Sequence, residues 1–368
     1  MKICLVADNV NTKAGLGRMV SSISSELERR GHEVGFILSQ GSPENDYLQI
    51  NFNFSKTSLL GYIKDLYKIR VYLKNFDYAI AYDVRPAGIL LYLASIGSVN
   101  KIIVHSLGTY SLFLKDAYFK NKLISLVYKK SDYVFLINNF VKRKILESNL
   151  KFSFCSNSTF VPVGVNTQRF SKKLAGERLI SGKYIISVGA IKERKGQFEI
   201  LKAFNQIVKD CDDVRYVIVG SQSDSIHYYD KILKYVEEQG LSEKIIFIEN
   251  INDDDLINLY SFSEFLVLAP TSTDTYIEGF GMVFLEAALC GKTSIGTLDS
   301  GAEAAIEHGN TGLVVSRDIE SLARSMHELL VNSVMRERLE LAAFTRALTF
   351  DWKNVVDLYE MNLNLLKK

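Results

Sequence analysis

Proline is scarce, four in 368 residues, so no Pro-rich linker or stalk is present. Cysteine is equally rare: Cys4, Cys155, Cys211 and Cys290 stand far apart with no CxxC spacing. That argues against a disulfide scaffold and a Cys-type zinc site, and fits a reducing compartment. Long apolar runs are missing as well. The longest, near Ile89–Ile96, is far below the roughly 20 residues a membrane span needs. The N-terminal run Met1–Ala7 is too short for a signal h-region and reads as a buried strand. A soluble, cytoplasmic protein is expected. There is no GxSxG, P-loop or HExxH motif, and no RNP, zinc-finger or helix-turn-helix pattern, so nucleic acid is not an expected partner.

What is present is an ordinary globular mix, 47% hydrophobic and 23% charged, which excludes disorder and fibrous structure. A length of 368 residues makes two domains the default. The net charge of +2 hides a split. Residues 1–175 hold 24 Lys and Arg against 12 Asp and Glu, and the remainder holds 20 against 30. Two domains with different partners would produce such asymmetry; so would solvated surface lysines without further meaning. Between 110 and 151, basic residues such as Lys115, Lys120, Lys122, Lys129, Lys130, Lys142, Arg143 and Lys144 interleave with Tyr110, Phe113, Tyr118, Phe119 and Tyr128. That pattern suits a surface facing anionic lipid, and equally a helix packing its apolar side inward.

Short apolar runs alternate with helix-like periodic stretches. Strands are expected at Lys2–Ala7, Glu33–Leu38, Tyr78–Ala81, Lys101–His105, Tyr133–Ile137 and Phe160–Val163, with helices such as Gly15–Arg30, Leu59–Leu73 and Phe140–Leu150 between them. The segment 162–183, with Gly164, Gly176 and Gly182, loses the rhythm and reads as a connection. The alternation then restarts through strands at Tyr184–Gly189, Tyr216–Gly220, Lys244–Ile248, Phe265–Leu268, Thr293–Gly296 and Gly312–Val315. The fold class is therefore α/β: two Rossmann-like, doubly wound domains with an interdomain cleft at the carboxyl ends of their strands.

Four local patterns could carry chemistry. Glu278-Gly-Phe-Gly-Met-Val-Phe-Leu-Glu286 places two glutamates eight residues apart across a Gly-rich turn that opens an apolar helix. The N-terminus of that helix is a seat for phosphate, and Glu286, a charge on a buried helix, needs a ligand-like reason. Ser187-Val-Gly-Ala-Ile-Lys-Glu-Arg-Lys-Gly196 brings Arg194 and Lys195 to the end of a strand, where cations neutralise a diphosphate; a solvated basic turn is the plain alternative. Gly15-Leu-Gly17-Arg18 follows the first strand but lacks the third glycine of GxGxxG, leaving a close-approach turn or a simple helix start. His105 ends an apolar strand, facing the expected cleft or satisfied in the core. Asp253-Asp-Asp255 precedes a helix and reads as capping and dipole complementation, not a metal site.

These residues resemble a known family, the retaining glycosyltransferases of the GT-B fold (family 4, group 1), which includes the phosphatidylinositol mannosyltransferases. The resemblance covers nearly the whole chain. Gly15 and Gly17 resemble its glycine opening, Asp132-Tyr-Val its "AD-x-V" strand, Pro162-Val-Gly-Val-Asn166 its linker, and Gly301, Glu303, Gly309 and Gly312 its late glycine stretch, while Glu278…Glu286 matches its E-x7-E motif. Trp352 stands where the family's last helices cross back. The resemblance implies an acceptor domain at 1–170 with a crossover helix at 351–368, and a donor domain at 171–350.

It further implies a hexosyltransferase that moves a sugar from a nucleotide-sugar, UDP-sugar favoured and GDP-mannose next, to a glycan or lipid-linked acceptor in bacterial surface polysaccharide or glycolipid synthesis. Glu286 would hold the donor ribose. Glu278 and the turn Gly279, Phe280, Gly281, Met282 and Val283 would hold sugar and phosphate. Lys195 and Arg194 would neutralise the diphosphate. Gly15 and Gly17 would face the donor, and Gly220, Asn250 and Ile251 would line the base. His105, Lys195 and Glu278 are the implied catalytic set, with no metal and no cofactor. The protein would sit in the cytoplasm or on the inner membrane face, touching anionic lipid through 110–151. One departure stands out: Ala190 occupies the family's arginine position, so either Arg194 substitutes or one phosphate contact is missing. A GT-B sugar-nucleotide epimerase, a glycan phosphorylase and a non-catalytic nucleotide-binding subunit remain the alternatives.

Overall fold

Apolar runs short enough for strands and amphipathic stretches long enough for helices alternate along this chain, and the computed structural model turns them into two parallel sheets. It describes residues 1–11, 15–41, 43–52, 58–97, 100–154, 157–171, 177–273 and 276–367. Cys155 and Gly176, noted in the sequence, lie outside these. Chain contacts define two units: residues 1–164, 274–279 and 352–368, and residues 165–273 and 280–351. The division at 164 lies within the connection expected over 162–183 and a few residues before the boundary at 170 that the resemblance implies, and residues 274–279 group with the first unit.

The first unit runs β1 (Lys2–Ala7), α1 (Gly15–Arg29), β2 (Glu33–Leu38), β3 (Tyr47–Gln49), α2 (Leu59–Leu73), β4 (Tyr78–Tyr82), α3 (Ile89–Ser95), β5 (Lys101–Ser106), α4 (Tyr118–Lys130), β6 (Tyr133–Leu136), α5 (Asn139–Ser148) and β7 (Ser158–Phe160). Its seven strands lie in the order β3-β2-β1-β4-β5-β6-β7, and every adjacent pair is parallel. The central strands are buried on both faces, which explains their continuous Val, Ile, Leu and Ala runs. In α1, Met19, Val20, Ile23 and Leu27 recur at helical spacing and all four are buried.

The second unit runs α6 (Thr167–Phe170), β8 (Lys183–Val188), α7 (Gln197–Ile207), β9 (Val214–Val219), α8 (Ile226–Glu238), β10 (Ile245–Ile248), α9 (Asp253–Phe262), β11 (Leu266–Val267), α10 (Met282–Leu289), β12 (Ser294–Thr297), α11 (Ala302–Ala305), β13 (Leu313–Val315), α12 (Ile319–Val331) and α13 (Ser333–Leu348). The last helix, α14 (Trp352–Leu365), belongs to the first unit. The second sheet has the order β10-β9-β8-β11-β12-β13. Both orders reverse beside the first strand of the unit, between β1 and β4 and between β8 and β11. Doubly wound sheets bind ligands at such reversals, beyond the carboxyl ends of the strands. A core of Phe198, Leu201, Phe204, Tyr216, Ile218, Ile232, Leu322 and Met326 packs α7, α8 and α12 on the second sheet.

Aspartates 253–255 form the first turn of α9, where their charge complements the helix dipole, and Asn252 caps it by accepting the Asp255 N–H at 2.9 Å. Among the described residues no helix is long and apolar enough to cross a membrane.

Candidate active site

The carboxyl edge of the second sheet is built from glycine and cations. β8 is followed by Gly189 and β9 by Gly220, whose N–H groups donate to the Val219 and Ile248 carbonyls at 2.8 and 2.9 Å. The two turns touch: a β carbon on Gly220, at φ +156°, would overlap the Gly189 carbonyl oxygen. Only glycine lets both strands end side by side there. Over Gly189 runs the side chain of Lys195, with Cε and Nζ 3.6 and 3.9 Å from where a β carbon would stand. Lys195 closes the single 3-10 turn Glu193–Lys195 that leads into α7.

That turn is fastened from several sides. Thr271 N–H donates to the Arg194 carbonyl at 2.9 Å. Arg317 donates Nε to the Ala269 carbonyl at 3.0 Å and pairs with Glu199 at 3.1 Å. The fully buried Gln197 donates Nε2 to the Ala190 carbonyl at 3.1 Å. Asn250, at φ +56°, and Ile251 follow β10 on the same edge. Gln197 and Arg317 carried no signal in the sequence: Gln197 acts on a backbone carbonyl, and Arg317 on a backbone carbonyl and a glutamate far away in sequence, which no local pattern marks.

α10 follows Gly281, in the left-handed region at φ +84°, and among the described residues no side chain caps it. The helix is apolar except for Glu286, which is 3% exposed and accepts a hydrogen bond from the Tyr260 hydroxyl at 3.2 Å. Burial, helped by the nearby Glu286 carboxylate, pushes the Cys290 thiol up to about 12. Met282 and Val283 are half-buried. Phe280 departs from expectation: its ring is 4% exposed and packs 5.8 Å from Phe350, so only its backbone is offered to a ligand. An aromatic ring next to a glycine turn gains more from the core than from solvent.

The remaining candidates lie in the first unit. Glu278 is half-buried on the loop that joins this unit. Gly15 is exposed at the start of α1, while the space beside Gly17 is filled by the Asn11 backbone. Gly17 therefore serves the approach of α1 to its own preceding loop, not a ligand.

His105 needs a larger correction. It is fully buried, with Nδ1 2.6 Å from the Tyr359 hydroxyl and Nε2 2.9 Å from the Val161 carbonyl. Burial lowers its pKa to about 3. Both nitrogens are spent, so His105 is a satisfied core histidine with no nitrogen left for a sugar. The sequence could not show that α14 would cover this strand end. Among the described residues no three His, Cys, Asp or Glu gather as a metal site.

Comparison with known proteins defines the class of architecture first. A glycosyltransferase from Rickettsia africae superimposes over 100% of this chain and 99% of its own, with a TM-score of 0.84 at 20% identity. HepE of Anabaena, solved in complex with UDP and glucose, covers 99% of both chains with a TM-score of 0.81 at 15% identity. The fold is thus the two-domain α/β GT-B architecture. Residues 171–346, a little under half of the chain, match the model of the glycosyl transferases group 1.

Among curated relatives, a GDP-mannose-dependent alpha-(1-6)-phosphatidylinositol monomannoside mannosyltransferase of Mycobacterium tuberculosis is 25% identical over 213 residues, 55% of this chain. The match spans only about half of that relative's length, 53%. N-acetyl-alpha-D-glucosaminyl L-malate synthase of Bacillus anthracis is 25% identical over 318 residues, covering 81% of this chain and 79% of its own.

Proposed function

We propose that this chain is a retaining glycosyltransferase that moves a sugar from a nucleotide-sugar, a UDP-sugar or GDP-mannose, to a glycan or lipid-linked acceptor. The observation that carries this reading is Glu286. A carboxylate 3% exposed on an apolar helix is costly to bury, and Glu286, held by the Tyr260 hydroxyl, is a group of the kind that accepts ribose hydroxyls. The same helix opens with an uncapped turn after Gly281, on the sheet edge that also bears Lys195 and Arg194. Backbone N–H groups at that terminus and the two cations are suited to a diphosphate.

In the proposed reaction the acceptor hydroxyl oxygen attacks the anomeric carbon on the face the donor phosphate leaves. The carbon–oxygen bond to phosphate breaks as the new glycosidic bond forms, and the departing diphosphate takes the hydroxyl proton. Lys195, Arg194 and the α10 terminus stabilise the charge that builds on the leaving group, so the proposal assigns no step to a metal or cofactor. Glu278 orients the sugar. His105, held in the core, has no part. The names of the relatives support sugar transfer, and that of the mannosyltransferase supports a nucleotide-sugar donor and a lipid-linked acceptor.

The test is a thermal-shift panel of UDP, GDP, ADP and CDP with their common sugar conjugates, repeated on Glu286→Ala. Selective binding raises stability by about 2.7 kcal/mol at a hundred times Kd. A base-selective rise, absent in E286A, is expected; no rise with any nucleotide overturns the reading.

A further inference from the structure

Both chain neighbours of Glu278 are gripped by side chains far away in sequence. On its N-terminal side, Ile277 N–H donates to the Thr109 hydroxyl oxygen at 2.9 Å, and the same hydroxyl donates to the Ile277 carbonyl at 3.1 Å. On its C-terminal side, Asn138 donates Nδ2 to the Gly279 carbonyl at 2.6 Å. A β carbon on Gly279 would overlap the Leu107 carbonyl oxygen, so the loop beneath leaves room for glycine only. With both flanking residues held, the backbone from which the Glu278 side chain projects is fixed on either side.

The grip is itself anchored. Thr109 sits on the loop after β5, and the nearly buried Asp83 accepts N–H bonds from Leu107 at 2.9 Å and Gly108 at 3.3 Å, together with the Ser111 hydroxyl. Arg85 takes the other side of the loop, donating Nη2 to the Thr109 carbonyl at 2.7 Å. Asn138 is fixed because its Oδ1 caps α5 by accepting Val141 N–H at 2.8 Å. All of these residues lie in the first unit.

We infer that Thr109 and Asn138 are positioning residues for Glu278, and that Asp83 anchors the loop from which Thr109 acts. The inference rests on the glycosyltransferase reading, because it gives the clamp its purpose: a carboxylate that must meet a sugar loses about a hundredfold in rate when displaced by an ångström.

Four full-length proteins test it: wild type, Thr109→Val, Thr109→Ser and Asn138→Asp. T109V removes the hydroxyl at nearly constant shape, T109S restores it, and N138D keeps the oxygen that caps α5 while removing the donor to Gly279. The readouts are amide hydrogen exchange over residues 276–285, UDP and GDP affinity, Tm, and the kcat and KM of nucleoside diphosphate release from UDP-glucose and GDP-mannose.

Faster exchange and a kcat reduced tenfold or more are expected for T109V and N138D, with nucleotide Kd within twofold of wild type and T109S within threefold of wild-type kcat. A T109V enzyme with wild-type kcat overturns the positioning role. So does a loss of kcat that tracks a fall in Tm and nucleotide affinity, which marks a purely structural part. Wild type that binds neither nucleotide overturns the glycosyltransferase reading, and the inference with it, before any variant is compared.

Discussion

His105 Nδ1 and the Tyr359 hydroxyl meet at 2.6 Å, 254 residues apart in sequence and fully buried. The Val161 carbonyl 2.9 Å from Nε2 can only accept, so Nε2 carries the proton and Nδ1 accepts from the phenol. The pair fastens α14 to the end of β5 and holds the imidazole neutral.

Because burial lowers the His105 pKa to about 3, the folded state refuses a proton that the unfolded chain takes near pH 6.5. The stability tied to neutral His105 is therefore complete above about pH 6.5 and is lost as pH falls toward about 3, with a slope of about 1.4 kcal/mol per pH unit at most. Nitrogen NMR of labelled histidine is expected to show the Nε2–H tautomer persisting at pH 5. Tyr359→Phe leaves Nδ1 unpaired and is expected to cost about 1–3 kcal/mol in denaturant melts, with nucleotide affinity unchanged.

Gly220→Ala is expected to damage the proposed nucleotide site more than the fold. The added methyl collides with the Gly189 carbonyl oxygen, so the ends of β8 and β9 must part beneath Lys195. UDP or GDP affinity is expected to fall tenfold or more by calorimetry. Gly240→Ala is the control: it shares a positive φ, at +65°, but a β carbon there meets nothing within 4 Å. Its cost is backbone strain alone, about 1–2 kcal/mol, with binding unchanged.

Tyr260→Phe removes the hydroxyl that donates to Glu286 at 3.2 Å and leaves the ring in the core. The carboxylate loses its orientation, not its existence. Nucleotide affinity is expected to drop severalfold, less than in E286A, and adding Y260F to E286A is expected to change binding no further, because the phenol acts through the carboxylate.

Arg30 joins α1 to α14. Its guanidinium donates to Glu26 at 2.8 Å, Asp357 at 2.6 Å and Glu360 at 2.5 Å, and its side chain is 16% exposed. Arg30→Ala is expected to destabilise the protein by about 1.5–3 kcal/mol. The Arg29 and Arg30 guanidiniums beside Glu26 lower its carboxyl to about 2. Its contribution is present above the ordinary carboxyl range and is lost as pH falls from about 4.5 through about 2, so wild type loses more stability than R30A in acid melts over that window.

The segment 110–151 divides into a buried and an exposed set. Phe113, Ile124, Val127 and Tyr128 are core residues, while Tyr118 is 74% and Phe119 84% exposed at the start of α4, whose Lys120, Lys122, Lys129 and Lys130 also face solvent. The proposed lipid contact belongs to the exposed set. Cosedimentation with vesicles containing phosphatidylserine is expected at low salt, to weaken as salt screens the lysines, and to fall in a Tyr118→Ser, Phe119→Ser double variant. Equal binding to neutral vesicles would sink the electrostatic part.

Several elements were legible because their patterns are local. β1, β2 and α2 fall where the runs Lys2–Ala7 and Glu33–Leu38 and the periodic stretch Leu59–Leu73 place them. β3 escaped because Tyr47–Gln49 is a three-residue edge strand without alternation. β7 was expected over Phe160–Val163 and lies at Ser158–Phe160: the apolar run continues past the pairing, and Pro162 cannot donate to a ladder.

By itself the sequence determined the α/β alternation, the Gly-rich turn before α10, the basic turn after β8 and the anomalous glutamate at 286, since each is a relation between residues a few positions apart. Only the tertiary structure decided what those residues face. Strand alternation does not say which face α14 covers, so it could not separate a core His105 from a reactive one. The grip of Thr109 and Asn138 on the Glu278 loop joins residues 168 and 141 positions apart, and Asp83 reaches the loop that carries Thr109 from another strand end. Contacts at such separations exist only once the chain has closed its sheets, because the hydrogen bonds go to backbone groups that have no signature of their own in the sequence.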